Sequence, residues 1–376
     1  MKVFLNAIIV HTLLNLYVFW RGWMILPPKR TYKVPFALLF ALELLVYLLG
    51  FIFAETLPHD LLHYIMLVGT SWMVFILYMT MLLIVSDLVW IVSLWIKKIA
   101  EIFDVNSHKV RRGYYCVSVC IVIVAMIIGS YNFWHPQITE RNVVVQKTAS
   151  SVKNLRIAMV SDIHLGYLID RNILHMYVDK ILEQKPDVIF LVGDIIDYDL
   201  PYLQEQRMDL ELRRLSAPYG VYASTGNHEY RLNGEEKIKW LSNEAGLTVL
   251  RDSALLVANS FYVVGREDDK APHKKKLSDI LSKVDKSFPV LVMNHEPHFL
   301  EEEVDNKVDV AFYGHTHDGQ LFPANLLVKT MYELSHGYKK KGDTHIFVSS
   351  GLGLSGPQYR IGTISEIMVV NVTIQK

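Results

Sequence analysis

The chain has two textures. Up to about residue 134 long apolar runs are separated by short polar stretches. From about residue 138 the apolar runs become short and alternate with amphipathic patterns and polar turns. Four of the long runs, Val3 to Trp20, Val34 to Ala54, Leu61 to Ile96 and Tyr114 to Trp134, approach or exceed the roughly 20 mainly apolar residues that a helix needs to cross a hydrocarbon core. The first lacks a small-x-small cleavage site and three more spans follow it, so it is expected to stay attached. The third exceeds one crossing but has no punctuation that would fold it into a hairpin. One long or tilted helix is expected there.

Beyond residue 138, strands are expected at Val143 to Gln146, Leu155 to Ser161, Val188 to Val192, Val221 to Ser224, Phe261 to Val264, Val290 to Met293, Val310 to Tyr313, Ile346 to Val348 and Met368 to Val372. Ile173 to Glu183 and Glu235 to Asn243 read as amphipathic helices. Near-continuous apolar strands imply an α/β domain with a buried sheet covered by helices. The expected division is a four-helix transmembrane domain over 1–136 and this α/β domain over 137–376.

Composition supports the membrane reading, because a mean hydropathy of +0.23 is high for an ordinary soluble protein. The 376 residues carry a formal net charge of zero and no run of five like charges, which argues against a nucleic-acid partner. No protein partner is indicated, and the expected partner of the first domain is the lipid bilayer. Cys116 and Cys120 are the only cysteines. Their spacing within one helix is poor for a disulfide, so they read as lipid- or core-facing thiols.

Charge also orients the spans. Arg21, Lys29, Arg30 and Lys33 lie between spans one and two, and Lys97, Lys98, Lys109, Arg111 and Arg112 between spans three and four; the middle loop has none. The two basic loops are therefore expected in the cytoplasm and the domain after Trp134 outside it, in a multi-pass cell-membrane protein. Glu43, Asp87 and His11 lie inside spans. For Glu43 and Asp87 an inward-facing structural role, hydrogen-bonded across the bundle, is favoured over ion or lipid handling.

Candidate chemistry sits where the apolar strands stop. Asp162-Ile-His164 follows one strand, Gly193-Asp194-Ile-Ile-Asp197 the next, then Gly226-Asn227-His228-Glu229, His295 and Gly314-His315-Thr-His317. In open α/β sheets, sites gather outside the carboxyl ends of strands. Each fragment alone is weak. In this order they resemble the metallophosphoesterase, or calcineurin-like phosphoesterase, superfamily, whose pattern is D-x-H, G-D-x-x-D, G-N-H-[DE], a lone His and G-H-x-H. Gly314-His-Thr-His-Asp-Gly-Gln320, Ser350-Gly-Leu-Gly353, Arg360-Ile-Gly362 and Glu366 resemble the membrane-anchored subgroup and related bacterial enzymes.

The resemblance implies a four-layer α-β-β-α sandwich and two divalent cations, with Mn²⁺, Zn²⁺ or iron suited to mixed imidazole and oxygen ligands. It assigns Asp162, His164, Asp194 and His317 to one ion, and Asp194, Asn227, His295 and His315 to the other, with Asp194 bridging. It implies phosphoester hydrolysis by a metal-bridging hydroxide. His228 is then free to protonate the leaving oxygen, with Asp197 to orient it or, alternatively, to cap a helix. His228, Asn227 and Arg360 are candidate phosphate donors, Arg360 equally a surface residue. His298 is a candidate neighbour of the metal ligands. His175, His273, His336 and His345 and the runs Lys274 to Lys276 and Lys339 to Lys341 read as ordinary surface features. The expected substrate is a lipid or cell-envelope phosphoester. The alternatives are a UDP-diacylglucosamine-type pyrophosphatase, as among some relatives, and a non-catalytic sensor.

Overall fold

The computed structural model describes residues 2–53, 56–96, 98, 104 and 107–376. Ala54 and Lys97, used in the span and charge readings, lie outside the described residues. The chain forms two units, 1–130 with 356–358, and 131–355 with 359–376.

Helices α1 (Lys2–Ile25), α2 (Arg30–Ile52), α3 (His59–Trp95) and α4 (His108–Trp134) are each long and apolar enough to cross a membrane. α3 runs unbroken for 37 residues. Aromatic and aliphatic side chains fill the space between the helices, with Val18, Phe40, Ile76, Met79, Leu83 and Val122 buried and Phe19, Phe36 and Trp72 packed on them. The outward faces are just as apolar, as Leu38, Leu42 and Leu94 show, which fits lipid rather than water as the solvent. Polar groups inside the bundle pair with one another. Asn15 contacts His11 at 2.9 Å and accepts from the Trp72 indole at 2.8 Å. Asp87 reaches across from α3 to α1, accepting from the Tyr17 hydroxyl at 2.5 Å and pairing with Arg21. Glu43 departs from the cross-bundle hydrogen bond expected of it. It is buried, and both carboxyl oxygens are without a hydrogen-bond partner among the described residues.

The second unit is built on two six-stranded sheets. The first has the order β1-β12-β2-β3-β4-β5, comprising β1 (Gln137–Gln146), β2 (Asn154–Val160), β3 (Val188–Val192), β4 (Val221–Ser224), β5 (Thr248–Val249) and β12 (Glu366–Gln375). The second has the order β10-β11-β9-β8-β7-β6, comprising β6 (Ser253–Val257), β7 (Phe261–Gly265), β8 (Val290–Met293), β9 (Val310–Tyr313), β10 (Gly337–Lys341) and β11 (Thr344–Val348). β2 to β5 run parallel, as do β7, β8, β9 and β11.

Alternation along the strands makes the layers. Ile157, Met159, Val188 and Phe190 of the first sheet interlock with Val263, Leu291, Met293 and Phe312 of the second, so the sheets pack face to face. Ala158, Val160, Ile189 and Leu191 point the other way, onto α5 (Arg171–Glu183) and α6 (Gly234–Asn243). α5 starts where the Asp170 side chain caps the Ile173 amide at 3.0 Å, and it buries Ile173, Leu174, Tyr177, Val178 and Ile181 at helical spacing. The outer face of the second sheet, with Val290, Val292, Ile346 and Val348, is covered by the short helices Leu277–Leu281 and Leu300–Asp305. The result is the four-layer α-β-β-α sandwich. A last helix, α7 (Ala324–Met331), lies between β9 and β10 and buries no residue.

Candidate metal centre

The loops after β2, β3, β4, β8 and β9 bring the motif residues together. The Asp194 carboxylate lies at the middle: its Oδ2 is 3.1 Å from His295 Nε2 and 3.8 Å from both His164 Nε2 and His228 Nε2. On one side His164 Nε2 faces His317 Nε2 at 3.1 Å, with Asp162 Oδ1 3.4 Å from His317. On the other, His315 Nδ1 meets Asn227 Oδ1 at 3.0 Å. Two donor groups, Asp162 with His164 and His317, and Asp194 with His295 and His315, are each compact enough to hold an ion.

The donor chemistry fits divalent cations. Imidazole nitrogens and carboxylate oxygens converge with lone pairs facing, an arrangement that a shared positive charge relieves. His295 donates from Nδ1 to the Val192 carbonyl at 2.9 Å, which orients the ring so that the buried Nε2 faces Asp194 Oδ2 at 3.1 Å. Burial pushes His315 down to about 4, helped by His295, and His317 down to about 3, so both are neutral at neutral pH with a lone pair to give. For Asp194 burial alone would raise the carboxyl, but His295, His164 and His228 hold it well below the usual carboxylate range.

Backbone strain clusters here. Asp162, His164, Asp194, His315 and His317 all have φ between 49° and 71°, the left-handed region that side chains disfavour by roughly 1–2 kcal/mol per residue. Small neighbours make room for the turns. A methyl on Gly226 would lie 2.3 Å from Asp194 Oδ1, and one on Gly314 would lie 2.4 Å from Asp162 Oδ2.

His228 projects into the same space, with its Nδ1 donating to Asp197 Oδ1. Asp197 also lies 3.4 Å from His164 Nδ1, and hydrogen bonds from the two imidazoles lower its carboxyl although burial opposes this. Asp197 is not a helix cap: Asp199 caps the following short helix, accepting from the Leu200 amide. Arg360 is neither a surface residue nor a free phosphate donor. It is fully buried, and its guanidinium donates to the carbonyls of His317 at 3.0 Å, Gly351 at 2.9 Å and Gly353. It therefore braces the loop that carries His317. His298 pairs with Glu296 at 2.7 Å and stacks on Tyr332, and Glu296 lies 3.8 Å from His315.

Two acids without an assigned role in the sequence reading hold the loops. Glu229 accepts four backbone amides, those of Asp194, Ile195, Ile196 and Gly226, at 2.7–2.9 Å, so one carboxylate clamps the Asp194 loop to the Asn227 loop. Glu366 accepts from Thr139 at 2.7 Å, the Ser350 amide at 3.0 Å and His336 at 3.2 Å. The signal for Glu229 was present as the acidic end of G-N-H-[DE]. For Glu366 no local pattern marks the role.

The family model of calcineurin-like phosphoesterases matches residues 155–319, which contain every candidate metal and catalytic residue above. An uncharacterised metallophosphoesterase of Helicobacter pylori is 31% identical over 240 residues, covering 62% of this chain and 62% of that one. A transmembrane protein with metallophosphoesterase domain from Danio rerio is 27% identical over 280 residues, covering 69% and 64%. The chain thus spans less than two thirds of the length of these two relatives. An uncharacterised metallophosphoesterase of Bacillus subtilis is 30% identical over 239 residues, 61% of this chain and 83% of the relative. A solved structure of a dimetal phosphatase from Danio rerio covers 60% of this chain and 94% of its own at 14% identity and a TM-score of 0.35. With its motifs in order at the strand ends, the chain belongs to the calcineurin-like phosphoesterases, as a membrane protein carrying a metallophosphoesterase domain.

Proposed function

We propose that this chain is a dinuclear metal-dependent phosphoesterase that hydrolyses a lipid or cell-envelope phosphoester at the extracytoplasmic face of the membrane. The observation that carries the reading is the Asp194 carboxylate, which faces donors of both compact groups. Asp162, His164, Asp194 and His317 would hold one cation, and Asp194, Asn227, His295 and His315 the other. When bound, the pair (Mn²⁺, Zn²⁺ or iron) would supply Lewis acidity, lowering the pKa of an attacking water and neutralising phosphoryl charge.

The chain's own residues do the rest. In its doubly protonated form His228 keeps Nδ1–H on Asp197 while Nε2–H faces the space beside Asp194 and passes its proton to the departing oxygen, leaving the neutral ring. Asp197 holds that ring in place. The Glu229 clamp keeps the Asp194 and Asn227 loops in register, so the donors do not rearrange as charge develops. The basic loops between the first and second and the third and fourth spans support the orientation, and the spans support a substrate within the bilayer.

The test is to incubate metal-supplemented full-length protein in nanodiscs with lipid extracts and analyse the water-soluble products. Release of a phosphate-bearing or dephosphorylated headgroup is expected. Hydrolysis confined to soluble aryl phosphoesters would overturn the lipid substrate, release of a nucleoside monophosphate would favour the pyrophosphatase reading, and no hydrolysis of any ester would leave the non-catalytic one.

A further inference from the structure

Helix α7 carries its polarity inside out. α5 hides its apolar stripe, but α7 turns Leu326 (55% exposed), Leu327 (64%) and Met331 (65%) to solvent, with Phe322 just before the helix also exposed. Its half-buried positions are Asn325 and Val328. At about 100° per residue, Leu326, Leu327 and Met331 share one broad face with Thr330, and Lys329 flanks it. Phe299 lies on the same rim: it packs against His298, whose ring stacks on Tyr332, the residue that follows α7. An apolar face of this kind on a folded domain marks an interaction surface.

Both ends of α7 join the candidate metal centre. Its first turn sits on Gly319, where a methyl would lie 2.3 Å from the Asn325 amide, and Gly319 is two residues past His317. At the other end, the Tyr332 ring is 6.3 Å from that of His315. Whatever seats on α7 is therefore held at the rim of the centre.

We propose that the exposed face of α7 dips into the bilayer, lying at the boundary of headgroups and acyl chains, and thereby sets the metal centre against phosphoesters in the membrane plane. The second half of this proposal rests on the phosphoesterase reading above; the docking does not. A bilayer is the occupant because the same chain carries four candidate spans, and only two residues separate Trp134 at the end of α4 from Gln137 at the start of β1. The domain is thus tethered at a membrane surface, where an apolar face with a lysine on its flank matches acyl chains below anionic headgroups.

The experiment uses the full chain with Cys116→Ser and Cys120→Ser, and Leu327→Cys labelled with a nitrobenzoxadiazole fluorophore. It is placed in nanodiscs of phosphatidylcholine and phosphatidylglycerol, with or without bromine on the upper acyl chain. Lys239→Cys, exposed on α6, is the control. Blue-shifted emission at Leu327→Cys, quenched by brominated lipid and shielded from iodide, is expected. Emission like that of the control, open to iodide and indifferent to bromine, would overturn the docking. So would a shift that tracks protein concentration rather than bromination, because the occupant would then be a second copy. Replacing Leu326, Leu327 and Met331 by serine should leave turnover of a soluble aryl phosphodiester unchanged and lower that of a bilayer-embedded phosphoester by about tenfold or more, through lost positioning. Equal turnover of the embedded ester by variant and wild type would overturn the positioning claim. Bromine quenching in a wild type that cleaves no embedded ester would instead keep the docking and remove the lipid substrate.

Discussion

Glu229→Gln isolates the clamp beneath the metal centre, because it keeps the side chain's size and removes half of its acceptors. In the native chain Oε2 accepts from the Asp194 and Gly226 amides at 2.9 and 2.7 Å, and Oε1 from Ile195 and Ile196 at 2.8 and 2.9 Å. Glutamine can serve one of these pairs with its carbonyl. Its NH₂ then faces the other two buried N–H groups, which lose their acceptor. Each orphaned buried donor costs about 1–3 kcal/mol, so the two together cost roughly 2–6 kcal/mol. Against this, burial and the neighbouring Asp194 push the native carboxyl up to about 7, so replacing it with a neutral amide recovers part of a desolvation penalty. A net loss of roughly 2–4 kcal/mol remains, which lowers the unfolding midpoint by roughly 5–15 °C in a domain of this size. Thermal unfolding of the detergent-solubilised chain, followed by near-ultraviolet circular dichroism, reads the stability, and elemental analysis reads the metal. Because Asp194 and Gly226 sit at the ends of the clamp, metal content should fall as well. An unchanged midpoint with full metal content would refute the clamp.

Three further outcomes are expected. His228→Ala should keep its metal yet lose about 10²–10⁴ in rate on poor leaving groups and much less on an activated aryl phosphate; equal losses, or metal loss, would remove His228 from the acid's role. Burial would lower His295, but the Asp194 and Asp162 carboxylates raise it well above its usual value, so in metal-free protein it holds a proton at neutral pH. Metal must displace that proton, so affinity should strengthen as pH rises above the ordinary imidazole range, with proton release seen by calorimetry in buffers of different ionisation enthalpy; pH-independent uptake would contradict this. For topology, single cysteines at Ser151 and Ser107, in a chain lacking Cys116 and Cys120, should react and stay protected respectively when intact cells meet a membrane-impermeant thiol reagent, and the reverse pattern would place the domain in the cytoplasm.

The residues that meet in the site were legible because each motif lies within a few positions of an apolar strand end, and strand ends of a parallel sheet share one side. The spans were legible from length alone. What stayed hidden depends on partners far along the chain. Glu229 stood in the G-N-H-[DE] pattern, but three of the four amides it holds lie more than thirty residues upstream, and Arg360 acts on the His317 carbonyl, so the pattern marked the residues without showing what they hold. The edge strand β1 was expected in part, as Val143 to Gln146, whereas the edge strands β5, β6 and β10 were not. β10, Gly337–Lys341, is rich in lysine and, among the described residues, pairs only with β11, so no apolar run announces it. α7 was not among the helices read from the sequence, and only its exposure shows the apolar face turned outward.

The central claim, that one carboxylate joins two metal sites, is tested most directly by counting ions in purified full-length protein and in Asp194→Asn. Wild type loaded with Mn²⁺ or Zn²⁺ and freed of excess metal should retain about two ions per chain. The variant, confirmed as folded by circular dichroism, should lose more than one, because the side chain serves both groups. A folded, fully supplemented wild type holding one ion or none, or a variant that loses only one, would contradict the shared-carboxylate centre.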